Sequence, residues 1–242
     1  MIQPLPLLKL FIVLLVCHPL QGASFVFFHP PTGWSLTNPT TLKENTQVGF
    51  VASKRKSFTP SINLSLDLSG PNQEAYINAV RQYYESDQNK EVRFISSIQT
   101  KSGSAQLMQI EWHKVWGDVV ILQSFLMQEE HVYILTASCL KKEFSSLRNT
   151  LLQSFRTIQI FPNLFASIED PNTLKEMIDQ LKKDFKAILS DQSSDETFQS
   201  SCFQKHYWQP TMTLLSKRFK TMGPCWQALV IQSIQNQLLK IN

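Results

Sequence analysis

MQIEWHKVWGDVVILQSFLMQEEHVYILTA, residues 108–137, decides the fold. Met108, Ile110 and Trp112 alternate with polar neighbours, the period of two of a strand with one wet face. A turn near Gly117-Asp118 follows. Val119 to Met127 is then almost continuously apolar, as in a central strand covered on both faces. Glu129-Glu130 supplies the next turn, and Val132 to Ala137 completes a three-stranded antiparallel meander.

The reading extends outward in both directions. Upstream, Ile62, Leu64, Leu66 and Leu68 alternate with Asn63, Ser65, Asp67 and Ser69, which predicts another half-buried strand. Gly70-Pro71 ends it, and Pro71 suits the first turn of a helix because its missing N–H costs nothing there. Tyr76, Val80, Tyr83 and Tyr84 mark that helix's buried face, and Val92, Phe94 and Ile98 suggest the next strand. Downstream, Phe144, Leu147 and Leu151 share one helical face, and Arg156 to Ile160 gives a last short strand. Residues 24–161 thus read as an α+β domain.

From Phe161 the period changes from two to 3.6. Pro162 and the stretch Ser167 to Pro171 form a connector, with Asp170 as helix cap and Pro171 in the first turn. Leu174, Met177, Ile178, Leu181, Phe185, Ile188 and Leu189 recur at helical steps and need a partner to cover them. Ser190 to Glu196 is a polar break. A second helix is expected from Pro210, with Met212, Leu215, Phe219 and Met222 on one face. A third follows Gly223-Pro224, outlined by Trp226, Leu229, Val230, Ile234 and Leu238. Residues 162–242 therefore read as a helical region, separable from the first across the connector.

Residues 1–23 read as a secretory signal. Lys9 is the only Lys, Arg, Asp or Glu before Lys43, Leu10 to Val16 is a short apolar core, and Gln21-Gly22-Ala23-Ser24 is a small-residue exit. The apolar run is shorter than the roughly 20 residues a bilayer span needs. Leu14-Leu15-Val16-Cys17 also resembles a bacterial lipobox, although Val16 stands where a small residue is usual. Two fates for Cys17 follow: loss with the signal, or lipidation that would tether the protein to a membrane. The expected place is periplasmic or extracellular.

Composition narrows the function classes. The 242 residues are 43% hydrophobic with 16 Phe and 5 Trp, enough for a sizeable core. Only 7 Gly argues against a glycine-rich phosphate loop, and a net charge of +4 is small. Lys54-Arg55-Lys56 is the densest basic cluster, and a single triplet without interleaved aromatics does not describe a nucleic-acid surface.

No catalytic signature emerges. Beyond Cys17 the cysteines are Cys139, Cys202 and Cys225, an odd number for an exported chain, with no CxxC spacing for zinc or redox chemistry. Cys202 and Cys225 are the natural disulfide pair. Their loop of about 24 residues would contribute roughly 3 kcal/mol by restricting the unfolded chain. Cys139 reads as a buried thiol. Outside the signal the histidines are His29, His113, His131 and His206, with no HExxH spacing, and Gly103-Ser104 lacks the G-x-S-x-G frame. His113 and His131 flank the meander and read as two polar strand-end residues, a meeting across the sheet being the alternative. Cys202 and His206, four residues apart, are the least unfavourable thiol–imidazole couple. Glu129-Glu130 reads as a hairpin turn. Asn63-Leu64-Ser65 is a glycosylation sequon inside a strand. Trp208, Met212, Phe219, Met222 and Trp226 form either a partner surface or the seal between helices and sheet. No cofactor or metal is expected.

The first region resembles a known group. Pro30-Pro31-Thr32-Gly33-Trp34 matches its entry turn, Tyr133-Ile134-Leu135-Thr136-Ala137 its last long strand, and Phe144 to Arg156, ending Ser154-Phe155-Arg156, its closing helix and strand. The group is the PsbP-like fold, which includes extrinsic photosystem subunits, a nuclear Ran-binding import factor and DcrB-like bacterial envelope lipoproteins. The resemblance spans about residues 25–161. It implies an antiparallel sheet with helices on both faces, and a scaffold that mostly binds or supports other proteins. With the signal, it implies a non-enzymatic envelope protein acting through protein–protein contacts. The rivals are a small-ligand or lipid carrier and a cysteine-dependent enzyme using Cys202 and His206.

Overall fold

The structure, a computed structural model, describes residues 24–53, 58–68, 72–189 and 193–241. The signal and lipidation readings at residues 1–23 lie outside the described residues, as do Lys54-Arg55-Lys56 and Gly70-Pro71.

The meander is present and longer than its apolar letters suggest. β6 (Gly103–Trp112), β7 (Val119–Gln128) and β8 (His131–Leu140) pair antiparallel, with Trp112 opposite Val119 and Gln128 opposite His131. On one side β5 (Lys90–Thr100) pairs with β6. On the other, β4 (Ser61–Leu68) pairs with β8 and continues through β3 (Thr46–Val51) to the two-residue β2 (Ser35–Leu36). The order β2-β3-β4-β8-β7-β6-β5 is antiparallel throughout. β1 (Phe25–Phe27) and β9 (Gln159–Phe161) make a separate two-stranded ribbon.

β7 lies at the heart of the large sheet, so both its faces are covered. Phe125 joins Met108, Ile110 and Val132 under α1 (Gln73–Glu85), whose Ile77 is buried against them. Leu122 and Leu126 point to the opposite face, which takes α2 (Lys141–Arg156) through Leu151, Leu152 and Phe155. This is the expected α+β architecture, an antiparallel sheet with helices on both faces and a C-terminal helical region. Tyr76, Val80 and Tyr84 pack inward as expected, but Tyr83 is 68% exposed. Its ring leans on Tyr84, and the Lys90 ammonium lies against both.

The helical region starts where its punctuation says. The Asp170 carboxylate accepts from the Thr173 backbone N–H and hydroxyl, and Pro171 opens α3 (Pro171–Ile188). α4 (Ser194–Gln199) begins with a Ser193/Glu196 capping box. α5 (Ser201–Phe203) runs through a π-turn at Gln204–Trp208 into α6 (Gln209–Arg218). Pro210 explains the turn: it has no N–H to give the preceding turn and its ring crowds that carbonyl, so the helix widens ahead of it. α7 (Gly223–Leu238) closes the chain's described part, with Pro224 in its first turn.

The polar connector at residues 162–170 exists, but the core runs straight across it. One cluster of buried side chains joins Phe27, Phe28, Leu64 and Phe155 to Phe185 and Trp226. Trp226 is the junction. It is fully buried, its indole N–H donates to Ser167 Oγ (2.8 Å) in the connector, and Phe25 meets it edge-on at 6.5 Å.

Gly223 makes this junction possible. Its φ of 82° and ψ of 168° fall in a region open essentially to glycine, and a Cβ there would lie 3.1 Å from His29 Nδ1. Gly223→Ala is therefore expected to destabilise the protein by about 1–3 kcal/mol. Urea unfolding should show the lower midpoint.

Candidate functional site

The structure separates most groups that sequence reasoning placed together. Cys139, Cys202 and Cys225 are free thiols, so the expected Cys202–Cys225 bridge is not formed. Cys225 is fully buried in the first turn of α7, where its sulfur takes a hydrogen bond from the Phe28 backbone, while Cys202 is exposed. Burial pushes the Cys225 thiol up to about 12 despite that bond. Burial, then the Glu143 charge, does the same for Cys139, also to about 12. Protonated, buried thiols are poor nucleophiles.

Cys202 and His206 are both exposed, and no hydrogen bond joins them among the described residues. The π-turn removes the α-helical register that would have stacked residues four apart. His113 and His131 do not meet either. They sit at opposite ends of β7, whose nine steps at ~3.3 Å each put them roughly 30 Å apart. His113 bonds Asp118 (3.1 Å), and His131 stacks on Tyr133. Glu129-Glu130 is the hairpin turn, with Glu129 at a φ of 55°. Asn63, the sequon residue, lies within β4 between β3 and β8. Trp208, Met212, Phe219 and Trp226 are buried and Met222 packs against them, so this set seals helices onto sheet and is not a partner surface.

Two exposed large apolar side chains stand next to each other at the β6–β7 connection. Val115 is fully exposed, and Trp116 is 56% exposed. The loop holding them is closed at its base. The His113–Asp118 contact closes its base, the Gly117 N–H donates to the Lys114 carbonyl (3.0 Å), and the Lys141 N–H donates to the Asp118 carbonyl (2.8 Å). Gly117 takes a φ of 137°. Phe58 stacks on Trp116 at 5.7 Å and 17°, and Lys114 Nζ lies 3.6 Å from the Trp112 ring centre. Beside Trp116 opens a hollow of about 480 Å³ lined by Gly117, Asp118, Leu140, Lys141 and Lys142. The sequence carried a sign of this site: Val115-Trp116 are bulky apolar residues placed in a turn, where polar ones are usual.

An ion pair anchors the hollow's wall. Lys141 Nζ, at the start of α2, lies 2.6 Å from Glu111 Oε2 on β6, and the Glu111 side chain is only 10% exposed. The hydrogen bond from Lys141 holds the Glu111 carboxyl below its usual range, against the opposing effect of burial. A depressed folded pKa stabilises above the unfolded value, near 4.3, and that stabilisation is lost as pH falls through the folded one. Glu111→Gln is expected to lower stability at pH 7 and to leave it little changed near pH 2. Urea midpoints across pH 2–7 check this.

No protein-family model matches the chain, and no curated protein matches its sequence. Solved structures do match. LpqN of Mycobacterium tuberculosis, described as involved in cell envelope biogenesis, aligns at 16% identity over 59% of this chain and 86% of its own, with a TM-score of 0.45. The PsbP of the cyanobacterium Synechocystis (CyanoP) aligns at 7% identity over 61% of this chain and 99% of its own, TM-score 0.42. The Ran-binding protein Mog1p of Saccharomyces cerevisiae aligns at 14% identity over 57% of this chain and 94% of its own, TM-score 0.40. The group named from the sequence is thus represented among the structures this chain is similar to, and the likeness is one of fold alone.

Proposed function

We propose that this protein is an exported, non-catalytic envelope protein that works by contact with another protein, and that the β6–β7 tip makes the contact. One observation carries the reading: Val115 and Trp116 are held out in solvent by a loop with a closed base. A large aromatic on a pre-ordered loop loses little entropy on binding, and Trp is the residue type most enriched at binding hot spots. Lys114 and Lys142 flank the apolar pair, so the complementary partner offers an apolar pocket rimmed by carboxylates.

The test pairs Val115→Asp with Trp116→Ser, both exposed and outside the core. Cross-linking in the native envelope, followed by capture, should yield a defined partner with the wild-type chain and lose it with the double variant. Unfolding curves should coincide. Equal capture by both would remove the tip from the contact, and recovery on protein-free vesicles would assign it to lipid instead. Export has its own measurement. The mature chain is expected to begin at residue 23 or 24, and a diacylglyceryl mass on Cys17 would give the lipoprotein form.

A further inference from the structure

The second chemically distinctive place is a cleft of about 490 Å³ where the sheet region meets the helical region, within the size range of small-ligand sites. The β1–β9 ribbon, the turn after β5, the connector before α3 and the turn after α6 enclose it. Its apolar surface comes from Phe27, Ile168, Phe219 and Met222. Phe27 is 2% exposed and stacks on Phe161 at 5.9 Å, so that wall is rigid.

The rim carries one cation without an ion pair among the described residues and a second that is only partly engaged. Lys101 has no ion pair among the described residues. Arg218 reaches Asp170 (3.5 Å) and Thr173 (3.3 Å) through Nη2 alone, which leaves its other N–H donors without an acceptor among the described residues. Asp170 is committed as the α3 cap, and its bonds from Thr173, then Arg218, hold it below the usual carboxylate range. His29 stands against Phe27 at 5.9 Å, and burial, then the Lys101 charge, lowers its pKa. Glu169, exposed on the same rim, opposes a second negative charge.

We infer that this cleft binds a small amphipathic monocarboxylate, its head between Lys101 and Arg218 and its apolar body against Phe27, Phe219 and Met222. Among the described residues, the unpaired Lys101 and the free N–H donors of Arg218 suit a single carboxylate, while Glu169 and Asp170 balance the two cations and oppose a second negative charge; Ile168 and Met222 offer the apolar contact, backed by the largely covered Phe27 and Phe219. The site is independent of the β6–β7 tip, so either assignment stands or falls without the other.

Titrating the full chain with octanoate tests it, read by calorimetry and by the His29 ring-proton resonances. Octanoate is expected to saturate, to raise the His29 pKa as its carboxylate offsets Lys101, and to bind more weakly as salt is added. Lys101→Ala should weaken it about tenfold, the loss of one charge-assisted hydrogen bond, and Lys101→Arg should restore it. Acetate and octanol, head and body alone, should each bind far more weakly, and so should inorganic phosphate, whose second negative charge Glu169 opposes. No saturation at millimolar octanoate, octanol binding as well as octanoate, or Lys101→Ala binding like the wild type would each overturn the assignment. Lys101 is exposed on a turn, so its variants leave the fold intact.

Discussion

Trp226→Ala is expected to cost about 3–5 kcal/mol, a large part of the roughly 5–15 kcal/mol that holds a protein of this kind together. No other described side chain as large is so completely enclosed. Its ring meets Phe219 at 5.3 Å and Phe25 at 6.5 Å, and its indole N–H satisfies Ser167 Oγ. Truncation removes the ring from a point where α7, the connector and β1 converge, and a junction of three elements cannot collapse onto the void without moving all three. Trp226→Phe separates packing from hydrogen bonding. It keeps most ring contacts and gives up one bond, a loss of about 1 kcal/mol. Urea denaturation of the three proteins is the measurement. Equal midpoints for wild type and Trp226→Ala would mean the helices are held to the sheet elsewhere.

The sequence made some of this architecture legible and hid the rest for physical reasons. β6, β7 and β8 announced themselves because each face of the sheet imposes its own apolar demand, and β7, covered on both faces, became a nearly unbroken apolar run. α3 was equally plain, since Asp170-Pro171 punctuates it and Leu174, Ile178, Leu181 and Phe185 keep step. β3 was missed because Gly49 breaks the alternation of a strand only six residues long. Through-space relations were the harder part. Cys202 and Cys225 looked like partners in an exported helical segment, yet nothing in the letters says that Cys225 turns inward to Phe28. The π-turn before Pro210 likewise undid a helical spacing that was correct for an ideal helix. The cleft of Lys101 and Arg218 was out of reach, since its walls lie more than a hundred residues apart in sequence.

Ending the chain at residue 161 is expected to abolish cooperative folding, although period and punctuation alone mark that point as a boundary between separable parts. The reason lies in what the helical region covers. Val26, Phe27 and Phe28 are at most 7% exposed, in a cluster that also contains Phe185, Phe219, Trp226 and Val230. Each large apolar side chain returned to water forfeits roughly 1.5–3 kcal/mol, so uncovering even three or four is comparable with the whole stability. The α1 face, built on Met108, Ile110, Phe125 and Val132, would survive the cut, and with it much of the strand content. The expected product for residues 24–161 is therefore compact and rich in strand, binds hydrophobic dyes, and melts without a sharp transition. A cut within residues 190–196 of the intact protein should act differently. Both fragments keep their buried faces, so they are expected to stay associated under native conditions and to part in urea. Circular dichroism and dye binding on the truncated chain, with size exclusion of the nicked one, distinguish the cases. A sharp, reversible transition in the 24–161 fragment would show that the sheet region carries a sufficient core of its own, and that the helices are an addition to a finished domain.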